Sequence, residues 1–142
     1  MSGTGRRPAS FALLFYYFLL LVSTAAANGS PYPFFAWVFE GTAARIAVVL
    51  DCLVLIHIVV GVLKAQRLTW WILLVYNAVQ LASVAVGLWA WPMDELALAF
   101  GFEDATGSLV SVLAVSALAM AVATAYAWRL RDAFWDENPY LF

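Results

Sequence analysis

Residues 42–63 read TAARIAVVLDCLVLIHIVVGVL, an almost wholly apolar run broken by Arg45, Asp51 and His57. A run of this length exceeds the ~20 residues that carry a helix across a hydrocarbon core about 30 Å thick. Only helices and closed barrels can cross, because lipid offers no partners to backbone amides. Barrel strands would alternate polar and apolar residues over ~10-residue segments. The continuous run predicts a helix instead.

Three more stretches of the same kind flank it, at 10–27, 69–91 and 107–128. The chain has 142 residues, 65% hydrophobic and 11% charged, against about 45–50% and about 25% in ordinary soluble domains. So small a globule leaves much of its surface wet and cannot hide that excess in a core. Composition and spacing together predict an all-α fold: one membrane domain over residues 1–142, an integral membrane four-helix bundle with short loops. A net charge of −2 and the lack of a basic stripe argue against nucleic acid as a partner. Cys52 is the lone cysteine, which excludes an intramolecular disulfide and a Cys-based metal cluster.

The links differ from one another. Residues 28–41 hold Asn28, Gly29, Ser30, Pro31 and Pro33, which stop a helix, together with Tyr32, Phe34, Phe35, Trp37 and Phe39. Such aromatics suit a membrane–water interface. Residues 64–68 are short enough to make the second and third helices an antiparallel hairpin. Residues 92–106 carry Asp94, Glu95, Glu103 and Asp104 and read as a solvated acidic loop, its portion 96–102 a short helix along the membrane surface. Residues 129–142 form an amphipathic tail. Trp70 and Trp71 at one end of the third helix, and Trp89 and Trp91 at the other, read as interfacial anchors.

Lys and Arg near span ends stay on the cytoplasmic side. With four spans, Arg6, Arg7, Lys64, Arg67, Arg129 and Arg131 fall on one side, six of the seven Lys and Arg residues, and Arg45 falls near the other. This predicts a multi-pass protein of the cell membrane with both termini cytoplasmic and 28–41 and 92–106 external. The first stretch has a rival reading. Arg6 and Arg7, an apolar run, then Ala25, Ala26 and Ala27 also suit a secretory signal cut after Ala27. Retention is favoured, and the orientation of the other spans is the same either way.

Asp51 lies near the middle of its span, where a carboxylate is costly and marks a candidate functional site. At about 100° per residue, Arg45, Asp51 and His57 share no stripe. Counting back from the turn near Gln66 places Asp51 level with Gln80 or Leu81, and His57 level with Val75 to Asn77. Asn77 and Gln80 share a helix face. Ser23 and Ser116 fall near the Asp51 level; Tyr16, Tyr17 and Thr124 fall nearer His57. The expected intramembrane polar cluster is therefore Asp51, His57, Asn77, Gln80 and Ser116. Interhelical hydrogen bonding is its favoured role, with proton or cation handling the rival. In the fourth helix Ala117, Ala121 and Ala125, and Ala119, Ala123 and Ala127, repeat at four, with Gly107 and Ser111 before them. Small residues at this spacing permit close helix approach, expected within the bundle before between subunits.

The stretch Leu63-Lys64-Ala65-Gln66-Arg67-Leu68-Thr69-Trp70-Trp71, a tight basic turn followed by paired tryptophans, resembles one in small, uncharacterised, haloarchaeal-looking prokaryotic four-helix integral membrane proteins. The likeness implies the fold and carries no activity. His57 alone cannot supply both axial ligands of a haem within one chain. No metal-ligand spacing, phosphate loop or Ser–His–Asp set appears. No catalytic residues, cofactor or metal are therefore expected. The expected function is a non-catalytic accessory subunit or self-associating module. Its partners would be the lipid bilayer and either a homo-oligomer or a larger membrane complex. The alternative is a minimal oligomeric transporter or channel using Asp51.

Overall fold

The computed structural model describes residues 7–102 and 105–135. Arg6, Glu103, Asp104 and residues 136–142 of the tail, with the expectations placed on them, lie outside the described residues. The fold is all-α, 81% helical. Its elements are α1 (Arg7–Ala26), a hairpin of β1 (Tyr32–Phe34) and β2 (Trp37–Phe39), α2 (Gly41–Leu63), α3 (Arg67–Ala90), α4 (Met93–Ala99), α5 (Ala105–Arg129) and α6 (Arg131–Trp135).

Among the described residues three helices are long and apolar enough to cross a membrane: Gly41–Leu63, Arg67–Ala90 and Gly107–Arg129. The described apolar part of α1, Phe11–Ala26, is shorter. Their outward faces are greasy: Ile46, Leu50, Leu53, Val115 and Leu118 are all more than half exposed. Contiguous apolar surface on this scale is not sustained in water. It fits a membrane location.

The turn between α2 and α3 is closed by the backbone. Gln66 N–H donates to Gly61 O (2.9 Å) and Ala65 N–H to Val62 O (3.2 Å), the paired bonds that finish a helix through one left-handed residue. That residue is Ala65, at φ 50°. In α4 the same device falls on Gly101, at φ 77°, with Phe102 N–H bonded to Ala97 O and Gly101 N–H to Leu98 O. Pro92 before α4 and Gly101 after it set the limits of this helix. It therefore starts three residues before the expected 96–102, and it packs through Leu96 and Ala97 against Trp91 and Leu109. Gly61 and Thr69 face each other across the α2–α3 turn, so closely that a Cβ on Gly61 would collide with the threonine side chain.

The residues pack into two apolar clusters. The larger, toward the α2–α3 turn, joins Leu13 and Tyr17 of α1, Leu55 and Ile58 of α2, Trp70 and Leu73 of α3, and Phe134 of α6. The smaller, toward the hairpin, joins Trp91, Leu96, Ala97 and Leu109. α1 lies closely against α2, and α3 against α5. The expected tryptophan anchors divide in each pair. Trp71 and Trp89 are 50% and 94% exposed, whereas Trp70 and Trp91 are 1% and 7% exposed. The buried indoles need acceptors, and each finds a backbone carbonyl: Trp70 Nε1 donates to Ala127 O at 2.9 Å, and Trp91 Nε1 to Phe35 O. Within the turn-rich 28–41 link, Tyr32 pairs antiparallel with Phe39, Pro33 with Val38 and Phe34 with Trp37, a hairpin that the sequence reading did not specify.

Two substitutions at the turn have opposite expected signs. Ala65→Gly relieves a left-handed alanine and raises stability by about 1 kcal/mol. Gly61→Ala forces α2 from α3 and costs roughly 1–3 kcal/mol. Thermal unfolding of both variants in one mild detergent checks the pair.

Candidate functional site

The polar residues expected to form one cluster form two. The first is built around Asn77, which is fully buried on α3. Its amide straddles the Tyr17 hydroxyl of α1, Oδ1 accepting at 2.9 Å and Nδ2 donating at 2.7 Å. Nδ2 also donates to Thr124 Oγ1 of α5 at 2.8 Å. The threonine hydroxyl in turn donates to Met120 O at 2.7 Å. One amide thus ties three helices, and its hydroxyl partners all have acceptors. Deep in an apolar interior an unmatched polar group costs free energy, so this set acts as a unit.

The second cluster lies about one helical turn further along α3. Gln80 Nε2 reaches Asp51 Oδ1 of α2 at 3.4 Å, a long contact. The phenols of Tyr76 on α3 and Tyr32 on β1 also approach the Asp51 carboxyl. Tyr76 is four residues before Gln80 and so shares its face. Sequence reading left Tyr76 unnoticed, although the depth count that found Gln80 would have reached it. Tyr32 was read only as an interfacial aromatic, because nothing in the 28–41 composition says the hairpin folds back onto α2 and α3.

The hairpin is held there by its most strained residue. Phe35, at its tip, has φ 51°, a region that bulky side chains avoid. Its N–H donates to Ser83 Oγ of α3 at 2.7 Å, and its carbonyl accepts from Trp91. Both backbone groups are satisfied from outside the hairpin, which offsets the local strain and seats Tyr32 beside Asp51.

Two cavities meet at this second cluster. A larger one, about 540 Å³, lies between α2, α3 and the hairpin. A smaller one, about 220 Å³, lies on the other side, toward α1 and α5. Tyr32, Asp51, Tyr76 and Gln80 line both, and so form the wall between them. Ser116 lines the smaller cavity and is otherwise exposed. His57 is not part of either cluster. It is exposed, on the side of α2 away from the buried Leu55 and Ile58. Its level on the helix matches Asn77, but its direction does not. Among the described residues no three His, Cys, Asp or Glu side chains gather as metal ligands.

The arrangement offers a carboxylate ringed by two phenols and an amide, set between a larger apolar cavity and a smaller inner one. Comparison with protein-family models, with curated proteins and with solved structures gives no match.

The two clusters should respond unequally to mutation. Asn77→Ala strands Tyr17 and Thr124 in a closed interior and costs roughly 1–3 kcal/mol. Asp51→Asn keeps the shape of a half-buried group beside a cavity and costs less. Trp91→Phe removes one indole donor from the hairpin tip and costs about 1 kcal/mol. Ranking the three midpoints of thermal unfolding tests this order.

Proposed function

We propose that the chain is an integral, multi-pass membrane protein of four spanning helices with both termini cytoplasmic. In this reading it is a non-catalytic module that self-associates or serves as a subunit of a larger membrane complex. The three span-length helices support the membrane setting. For α1, the Tyr17–Asn77 bonds support a retained span over a cleaved signal, since cutting after Ala27 would strip the amide of a partner and open the core at Leu13. The cation distribution supports the orientation. Arg67 and Arg131 stand over the Trp135 ring at 4.0 and 4.8 Å, at the same end as the α2–α3 turn, and such pairs suit a headgroup layer.

The observation that carries the association reading is the open face of α5, whose apolar window is only 11% buried. Of the two alanine repeats expected to pack within the bundle, Ala123 and Ala127 are buried, whereas Ala119, Ala121 and Ala125 are exposed. Gly107, Ser111, Ala114, Leu118, Ala121 and Ala125, spaced alternately by four and three, all remain exposed. That spacing is the seam of a left-handed helix pair, and its small side chains allow the backbones to approach.

Bulk on the seam tests the proposal. Ala114→Ile with Ala121→Ile should dissociate the oligomer, or release a copurifying partner, while leaving the unfolding midpoint nearly unchanged. Light scattering and intact mass of the chain purified in mild detergent read oligomer, companions and retention of residues 1–27 together. A wild type that is monomeric and alone defeats the association reading. A second reading, a minimal oligomeric transporter or channel that handles a proton or cation at Asp51, is favoured by the cavities on both sides of that carboxylate. It requires a liposome flux that Asp51→Asn abolishes.

A further inference from the structure

We infer that the larger cavity binds hydrophobic organic cations, with Asp51 as counter-charge. This gives the Asp51 transport reading its ligand class; it does not depend on association through α5.

Four observations lead there. The cavity, about 540 Å³, is of the size that holds a small organic molecule. Its walls carry Ile46, Leu50, Val54 and Val79, which suit a hydrocarbon body and not a hydrated ion. Phe34, Phe39, Tyr32 and Tyr76 add aromatic rings around the polar end, and ring faces attract a desolvated cation. Among the described residues lining either cavity, Asp51 alone carries a formal charge.

Charge then selects among occupants. A phosphate or carboxylate head would meet a carboxylate and no Lys or Arg. A neutral amphiphile would make no use of the one acidic side chain in the lining. A small inorganic cation demands six or more oxygen ligands, and the cavity offers Asp51, Gln80 and two phenols. A delocalised cation carries its charge inside its own apolar shell. It needs one carboxylate and several ring faces, and those are present. The 3.4 Å contact from Gln80 is long enough that a ligand can displace it without breaking a strong bond. The site opens between α2 and α3, where Ile46 and Leu50 are largely exposed, so a ligand dissolved in the bilayer reaches it sideways.

The test uses radiolabelled tetraphenylphosphonium and equilibrium dialysis of the full chain in mild detergent, with empty micelles subtracted. Saturable binding is expected, competed by unlabelled tetraphenylphosphonium and not by tetraphenylborate, which has the same shape and the opposite charge. Asp51→Asn should weaken binding at least tenfold, and Asp51→Glu should restore part of it. Ala47→Trp, which fills the cavity one turn from Asp51 and leaves the carboxyl group in the chain, should abolish binding. It decides the matter if Asp51→Asn does not elute as a folded protein. Binding unaffected by Ala47→Trp, or equal competition by tetraphenylborate, overturns the inference, as does an absence of saturable binding. A neutral amphiphile as occupant would appear as binding that survives Asp51→Asn. Saturable, Asp51-dependent binding with no flux in liposomes would leave the cation site standing and remove only the transport reading.

Discussion

A primary amide in an apolar interior has donors and an acceptor to satisfy, and Asn77 meets that demand by drawing three helices together. Tyr17 arrives from α1 and Thr124 from α5, and the threonine in turn donates to Met120 O. Hydrophobic packing alone tolerates sliding and rotation of one helix against another, because leucine meets leucine almost equally well in several registers. A buried amide does not, since each wrong register leaves a polar group unmatched. The larger apolar cluster is arranged around this point, with Tyr17 and Tyr76 belonging to both the polar and the apolar account. With α1, α3 and α5 fixed, α2 is set by its close contact with α1 and by its tight turn into α3, where Gly61 meets Thr69. The cleft that remains between α2 and α3 becomes the larger cavity.

Much of this was legible in the chain, and what was not has a common cause. Continuous apolar runs announce helices, and a short basic link announces an antiparallel pair, so depth along each helix can be counted. That count put Gln80 beside Asp51 and set Asn77 at the level of Tyr17 and Thr124. Direction around the helix is another matter. His57 shares a level with Asn77 yet points outward, because helix rotation is fixed by side chains on neighbouring helices that no single run contains. The same blindness explains the tryptophans: Trp70 and Trp71 are adjacent and point about 100° apart, so one faces in and one faces out. Trp91 follows the end of α3 in extended backbone and turns in where Trp89, still on the helix, faces out. The hairpin was hidden for a further reason. Its strands have three residues each, one of them a proline, and what holds them is Ser83 and Trp91, far along the sequence.

The outer surface follows a different rule from the interior. On α2, α3 and α5 most large aliphatic side chains point away from the protein, and only 28%, 22% and 11% of their apolar windows are buried. In water that would drive aggregation; in lipid it carries no penalty, and helix association must come from close packing and hydrogen bonds. The polar contacts described here are accordingly few and placed where helices meet. α5 stands out because it keeps the least of its surface inside. The carboxylate of Asp51 stands out because, unlike Asn77, it is not enclosed, and groups that are half-satisfied beside a cavity are the ones available to a ligand.

The tip of the hairpin has a consequence for how the molecule comes into being. Both groups that hold Phe35 in its left-handed conformation, Ser83 and Trp91, are made later in the chain than the hairpin itself. A nascent chain that has completed only α1, the hairpin and α2 therefore has no means of seating Tyr32 against Asp51. Until the second half of α3 emerges, the hairpin tip has neither partner, and the wall that Tyr32 gives Asp51 is not held in place. The pocket is thus a product of α3 and Trp91 as much as of the hairpin and α2.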